Sequence, residues 1–163
     1  MNRFAAAFLF LALTFNGAEA ADTGKPVSKD EAMKAITLFQ TDPVSKEGLA
    51  AIRVFMSFAD HSDKVRVSVS QATVPWLKDK DASDADTRDI LLGAYVAGNL
   101  ESQLKSGKSA DDVYAGWEQV LTTYAQLLHI NSAAKITEVE VLKKKDADGE
   151  LHDYALSVQS SGK

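Results

Sequence analysis

Tyr95, Asn99 and Gln103 recur every four residues, the spacing that stacks side chains one above another on a single helix face. Arg88 falls two turns before Tyr95 on much the same side. A phenol, two amides and a guanidinium in one row supply the donors and acceptors needed to grip polypeptide main chain or a small polar ligand. The same groups can instead satisfy backbone that the protein itself leaves unpaired, and the sequence provides such backbone. Val65, Val67 and Val69 alternate with Arg66, Ser68 and Ser70, a period of two that marks extended chain. No second clean strand is present to pair with it, and unpaired main chain must find partners. The strip Arg88, Tyr95, Asn99 and Gln103 is therefore expected to hold this segment down, with a binding groove as its other use. Gly93, Ala94, Ala97 and Gly98 sit on the same helix. A helical glycine costs about 1 kcal/mol against alanine, so the pair predicts a close approach by another backbone.

Other candidate chemistry dissolves on spacing. His61, His129 and His152 are enough for a zinc site, but they lie in three separate segments and no His-Glu-x-x-His pattern joins two of them. Each is expected near a helix end, against the dipole or a free carbonyl. Asp146-Ala147-Asp148-Gly149 has the letters of a calcium loop. Aligning Gly149 on that loop's glycine puts Lys144 and Ala155 where the outer carboxylates belong, so the segment reads as a turn. Ser102-Gln103-Leu104-Lys105 and Lys105-Ser106-Gly107 match Ser-x-x-Lys and approximate Lys-Thr-Gly. They overlap at the C-terminal end of a predicted helix, whereas a nucleophile needs the N–H groups of an N-terminus. The chain has no cysteine, which removes thiolate catalysis, disulfides and zinc–thiolate sites together. No catalytic residue, metal ligand or cofactor is assigned.

The elements that must position the strip form a predicted helical hairpin from Ser83 to Asn131. Ser83-Asp84-Ala85-Asp86 and Ser109-Ala110-Asp111-Asp112 each place a capping serine before carboxylates at the positive end of a helix. Gly107 between them suits the left-handed residue that closes a helix. Ile90, Ala94, Ala97, Leu100 and Leu104 form the apolar stripe of the first helix. Val113, Trp117, Val120, Leu121, Tyr124, Leu127 and Leu128 form that of the second. Two such helices with a short connection pack antiparallel.

Around this hairpin the chain reads as follows. Ser28-Lys29-Asp30-Glu31 is a capping box opening a helix whose apolar residues are Met33, Ile36, Leu38 and Phe39. It should end near Thr41, before Pro43, with Asp42 capping the next helix and Pro43 in its first position. Leu49, Ile52, Phe55, Met56 and Ala59 are that helix's expected stripe, with Val54 and Phe58 beside it. Lys64 to Trp76 is expected to be extended and packed on the bundle, with Val74, Pro75, Trp76 and Leu77 plugging one end. Residues 136–158 admit two helices or a β-hairpin about Gly149. Apolar alternation is not clean in either half, which favours helices. The expected fold is all-α, an irregular bundle of about five helices around the antiparallel hairpin. Residues 28–158 form the domain, with a tether at 21–27 and a disordered tail at 159–163.

Asn2 and Arg3, the apolar run Ala5 to Leu13, and Ala18-Glu19-Ala20 have the three-part form of an export signal cut after residue 20. The run is shorter than the ~20 residues a membrane helix needs, so no stable membrane insertion is expected once the signal is removed. Removing residues 1–20 takes away Arg3 and Glu19 and leaves the net charge at −5. That acidity argues against nucleic acid as a partner. The sequence thus favours a periplasmic or secreted, non-catalytic protein that binds a protein or peptide of the envelope, as an accessory or chaperone-like factor. A small-ligand binder using a groove near Tyr95 and Asn99 is the alternative, and a small hydrolase the third class.

Overall fold

The computed structural model describes residues 26–78 and 85–161. The expected export signal, all but the end of the expected tether, the Ser83-Asp84 cap and the last tail residues lie outside the described residues. Within them the chain is all-α, built from α1 (Lys29–Thr41), α2 (Lys46–His61), α3 (Ala85–Ser106), α4 (Val113–Ile130), α5 (Thr137–Ala147) and α6 (Leu151–Ser161), with a 3₁₀ turn at Pro75–Leu77. Successive helices pair as hairpins. The α3–α4 hairpin lies in the middle, α1 and α2 pack against α3, and α5 and α6 pack against α4.

α3 is the central element because its sequence is small and apolar on nearly every side. Gly93, Ala94, Tyr95, Val96, Ala97, Gly98, Asn99 and Leu100 are all buried. A helix apolar on one stripe only would leave one face to water, whereas α3 is covered by α1, α2, α4 and the segment between α2 and α3. The close backbone approach expected for the pair is found at Gly98 alone, where α4 supplies it. A Cβ on Gly98 would stand 2.4 Å from the Ala115 carbonyl oxygen and 2.7 Å from the Gln119 Cβ, while one on Gly93 would meet only the Ile52 side chain, at 3.1 Å. Gly98→Ala should therefore destabilise the fold. Overpacking against backbone costs about 1–3 kcal/mol, and about 1 kcal/mol returns through helix propensity. Gly93→Ala, facing a movable Ile52, should cost less, and comparing the two denaturation midpoints checks this.

Local chemistry explains the helix ends, including where they depart from expectation. Ser28 and Glu31 form the full capping box at the start of α1. α2 is capped by Ser45, whose Oγ accepts from the Gly48 amide at 2.9 Å, and not by Asp42. Pro43 is consequently in the turn, where the Asp42 carbonyl and carboxylate both accept from Ser45. α4 is capped by Asp112, accepting from the Ala115 amide at 3.0 Å, and not by Ser109. Gly107 at φ +70° and Gly149 at φ +75° take the left-handed conformation that closes α3 and turns α5 into α6. α6 continues through Ser161, beyond the boundary at 158 drawn from sequence.

The buried stripes are also rotated from those expected. α1 buries Ala32, Ala35, Ile36 and Phe39, and Leu38 is 47% exposed. α2 buries Gly48, Ala51, Phe55 and Phe58, with Leu49, Ile52, Met56 and Ala59 flanking them and Val54 exposed. Phe39 and Phe55 meet edge to face at 5.7 Å between centroids. A polar bridge ties α1 across the hairpin. Gln40 Nε2 donates to Glu101 Oε2 at 2.7 Å and to Gln119 Oε1 at 2.9 Å, and Lys29 Nζ donates to the Leu104 carbonyl at 2.7 Å.

Candidate functional site

The polar strip lies on the face of α3 turned toward the segment that follows α2. From Ser62 to Val69 this segment has no helical or strand assignment, and turns at residues 71–73 lead to the 3₁₀ turn. Its side chains alternate, with Val65 buried, Val67 partly buried, and Lys64, Arg66 and Ser68 exposed. Gln103 holds it with both ends of one amide. Oε1 accepts from the Arg66 N–H at 2.9 Å, and Nε2 donates to the Arg66 carbonyl at 2.7 Å. Tyr95 donates its hydroxyl to the Ser68 carbonyl at 3.1 Å. Burial first, then the Asp111 charge, pushes that hydroxyl well above its ordinary pKa, so it stays a donor. Trp117 on α4 completes the attachment, its Nε1 donating to the Thr73 carbonyl at 2.7 Å. Arg88 donates to the Trp76 carbonyl and lies 3.8 Å from Glu138 on α5.

Asn99 has a different task from its neighbours on the strip. Its Nδ2 donates to Asp111 Oδ1 at 2.6 Å, and its Oδ1 accepts from Gln103 Nε2 at 2.6 Å and from the Asp112 N–H at 3.2 Å. It therefore ties the start of α4 to α3 and orients the Gln103 amide, without touching the extended segment itself. Ser102 adds a bond to Asp112 Oδ2 at 2.5 Å, and Gln159 of α6 donates to the Asp111 carbonyl. Asp111 and Asp112, which matter here, read from sequence only as helix-start carboxylates. In the sequence Thr73 falls within the segment expected to be extended and Trp117 on a core stripe, with no signal that they would meet. Tyr95, Asn99 and Gln103 are all buried under these contacts.

The histidines stay apart. His61 Nδ1 lies 2.9 Å from the Ser57 carbonyl at the end of α2, and His129 is in the last turn of α4. His152 is at the start of α6, not at a helix C-terminus, with its ring edge-on to Tyr114 at 5.0 Å. Among the described residues no group of three His, Asp or Glu side chains is placed to hold a metal ion. The Asp146–Gly149 segment is the end of α5 and the turn into α6, where the Lys144 ammonium pairs with Asp148.

Two open grooves mark the surface. One, of ≈450 Å3, lies between the α1–α2 turn and the last turns of α4 and is walled by Pro43, Val44, Ala125 and Ile130 with Thr41, Asp42, Gln126 and His129. The other, of ≈400 Å3, runs along α5 past Val141 and Lys144. Val44 is 38% exposed and Ile130 66% exposed. No helix among the described residues is long and apolar enough to cross a membrane. Comparison with protein-family models, with curated proteins and with solved structures finds no match to this chain.

Proposed function

We propose that this chain is an exported, non-catalytic factor of a bacterial envelope that binds a protein or peptide, in an accessory or chaperone-like role. The observation that carries the reading is the groove between the α1–α2 turn and α4. It is open, its walls are mainly apolar, and Val44 and Ile130 stand exposed on its two sides. An apolar side chain or helix face of a partner fits such a groove, whereas a small ligand wants a concave pocket with convergent polar groups. The strongest polar constellation, on α3, is engaged in internal main-chain bonds. Export rests on the three-part pattern of residues 1–20.

The test is to express the full chain with a C-terminal tag, recover it from the envelope fraction and compare it with a Val44→Glu, Ile130→Glu variant. The recovered chain should begin at Ala21. Both substituted positions are exposed, so stability should change by no more than about 0.5 kcal/mol each. A partner that co-elutes with the wild type should be weakened at least about tenfold by the two charges. Finding Met1 on the recovered protein overturns export, and an unchanged partner affinity overturns the groove.

A further inference from the structure

The segment after α2 is held along one edge only. In extended chain the N–H and C=O of a residue point to the same side, and successive residues alternate sides. Arg66 directs both groups to Gln103, and Ser68 directs its carbonyl to Tyr95. Val65, Val67 and Val69 therefore direct theirs away from α3. None of those main-chain groups has a hydrogen-bond partner among the described residues. Flanking this edge are Lys64 and Arg66, both exposed and neither in an ion pair among the described residues, and Val69, 44% exposed. An unpaired edge is a template for another extended chain, and here it carries positive charge on an otherwise acidic protein.

We propose that the outer edge of Val65–Val69 is a docking site for an extended acidic peptide, which adds alongside it as a strand. The main-chain groups of Val67 and Val69 supply the ladder bonds, Val65 being buried at the start of the segment. Carboxylates of the peptide face Arg66 and Lys64, and an apolar residue covers Val69. Charge decides between a peptide and a second copy of this chain. Antiparallel self-pairing about Val67 brings the two Arg66 side chains to diagonal positions, where like charges repel. The α3 anchor makes the site rigid, because Gln103 and Tyr95 fix the far edge before any peptide arrives. This surface shares no residue with the groove at Val44 and Ile130, so either can fail without the other.

The probe is a short capped peptide of alternating glutamate and valine, added to the full chain while amide exchange is followed by NMR. With the peptide at ten times its dissociation constant, exchange at Val67 and Val69 should slow about tenfold. The Asp112 amide, bonded to Asn99 and not part of this edge, should not change. Arg66→Gln should weaken binding about threefold, and N-methylation of the peptide's main chain should abolish it. No added protection at these valines overturns the proposal. So does equal binding of a valine–lysine peptide, or protection already present without peptide in a species that sediments as a dimer, which would assign the edge to a second copy.

Discussion

Replacing Trp117 by alanine should lower the stability of the fold by about 3–5 kcal/mol, a large part of the 5–15 kcal/mol typical of a domain. Three contacts are lost together. The indole is fully buried in the core, it stacks on Tyr154 of α6 at 5.2 Å between centroids, and its Nε1 donates to the Thr73 carbonyl at 2.7 Å. The loss of the ring opens a cavity between α4 and α6. The loss of the N–H leaves a carbonyl of the α2–α3 connection unpaired, which costs about 1–3 kcal/mol where the group is buried. Trp117→Phe separates the two effects, since it keeps most of the stacking and removes the bond. A denaturation midpoint for Trp117→Phe close to that of Trp117→Ala would put the weight on Thr73. A Trp117→Ala change below about 1 kcal/mol would contradict the burial altogether.

The α3–α4 hairpin was legible because its signals are redundant. Gly107 closes one helix, seven apolar residues at helical spacing make the next, and both agree with an antiparallel pair. The helical reading of residues 136–158 rested on less, yet Ile136, Val139, Leu142, Leu151 and Ala155 are all buried as a helical step requires. Misreadings arose where two signals competed within a few residues. Asp42-Pro43 and Ser45 can each start a helix, and Ser45 prevails because the chain folds back so tightly that a Cβ on Gly48 would stand 2.0 Å from the Asp42 carbonyl oxygen. On α1, hydropathy draws attention to Leu38, while the buried positions beside Ile36 are the alanines Ala32 and Ala35. Small residues let helices approach closely, and a scan for large apolar letters passes over them. The strip itself was found by spacing alone. Which backbone each member would meet depended on where α4 begins, and that is set by the conformation of residues 107–112 in three dimensions.

Asn99→Ala should cost about 2–4 kcal/mol, because it strands the buried Gln103 amide and the partly buried Asp111 and Asp112 at once. Asp111 loses the donor at 2.6 Å, the Asp112 N–H loses its acceptor at 3.2 Å, and Gln103 loses the 2.6 Å bond that orients its amide toward Arg66. Asn99→Leu should fare no better, since the same groups remain unmet. Hydrogen exchange locates the damage. The Asp112 amide should speed up directly and the Arg66 amide through Gln103, while Val67, whose amide has no partner among the described residues, should keep its rate. Asn99→Asp adds a pH signature. It sets a second carboxyl beside Asp111 in a buried position, and both burial and the like charge raise its pKa above the usual ~3.9. Because the folded value is raised, stability is retained below that pH and lost as pH rises through the folded pKa. The gap between the wild-type and Asn99→Asp denaturation midpoints should therefore widen from about pH 4 toward neutrality. A gap independent of pH, with unchanged exchange at Asp112, would mean that Asn99 does not hold the start of α4.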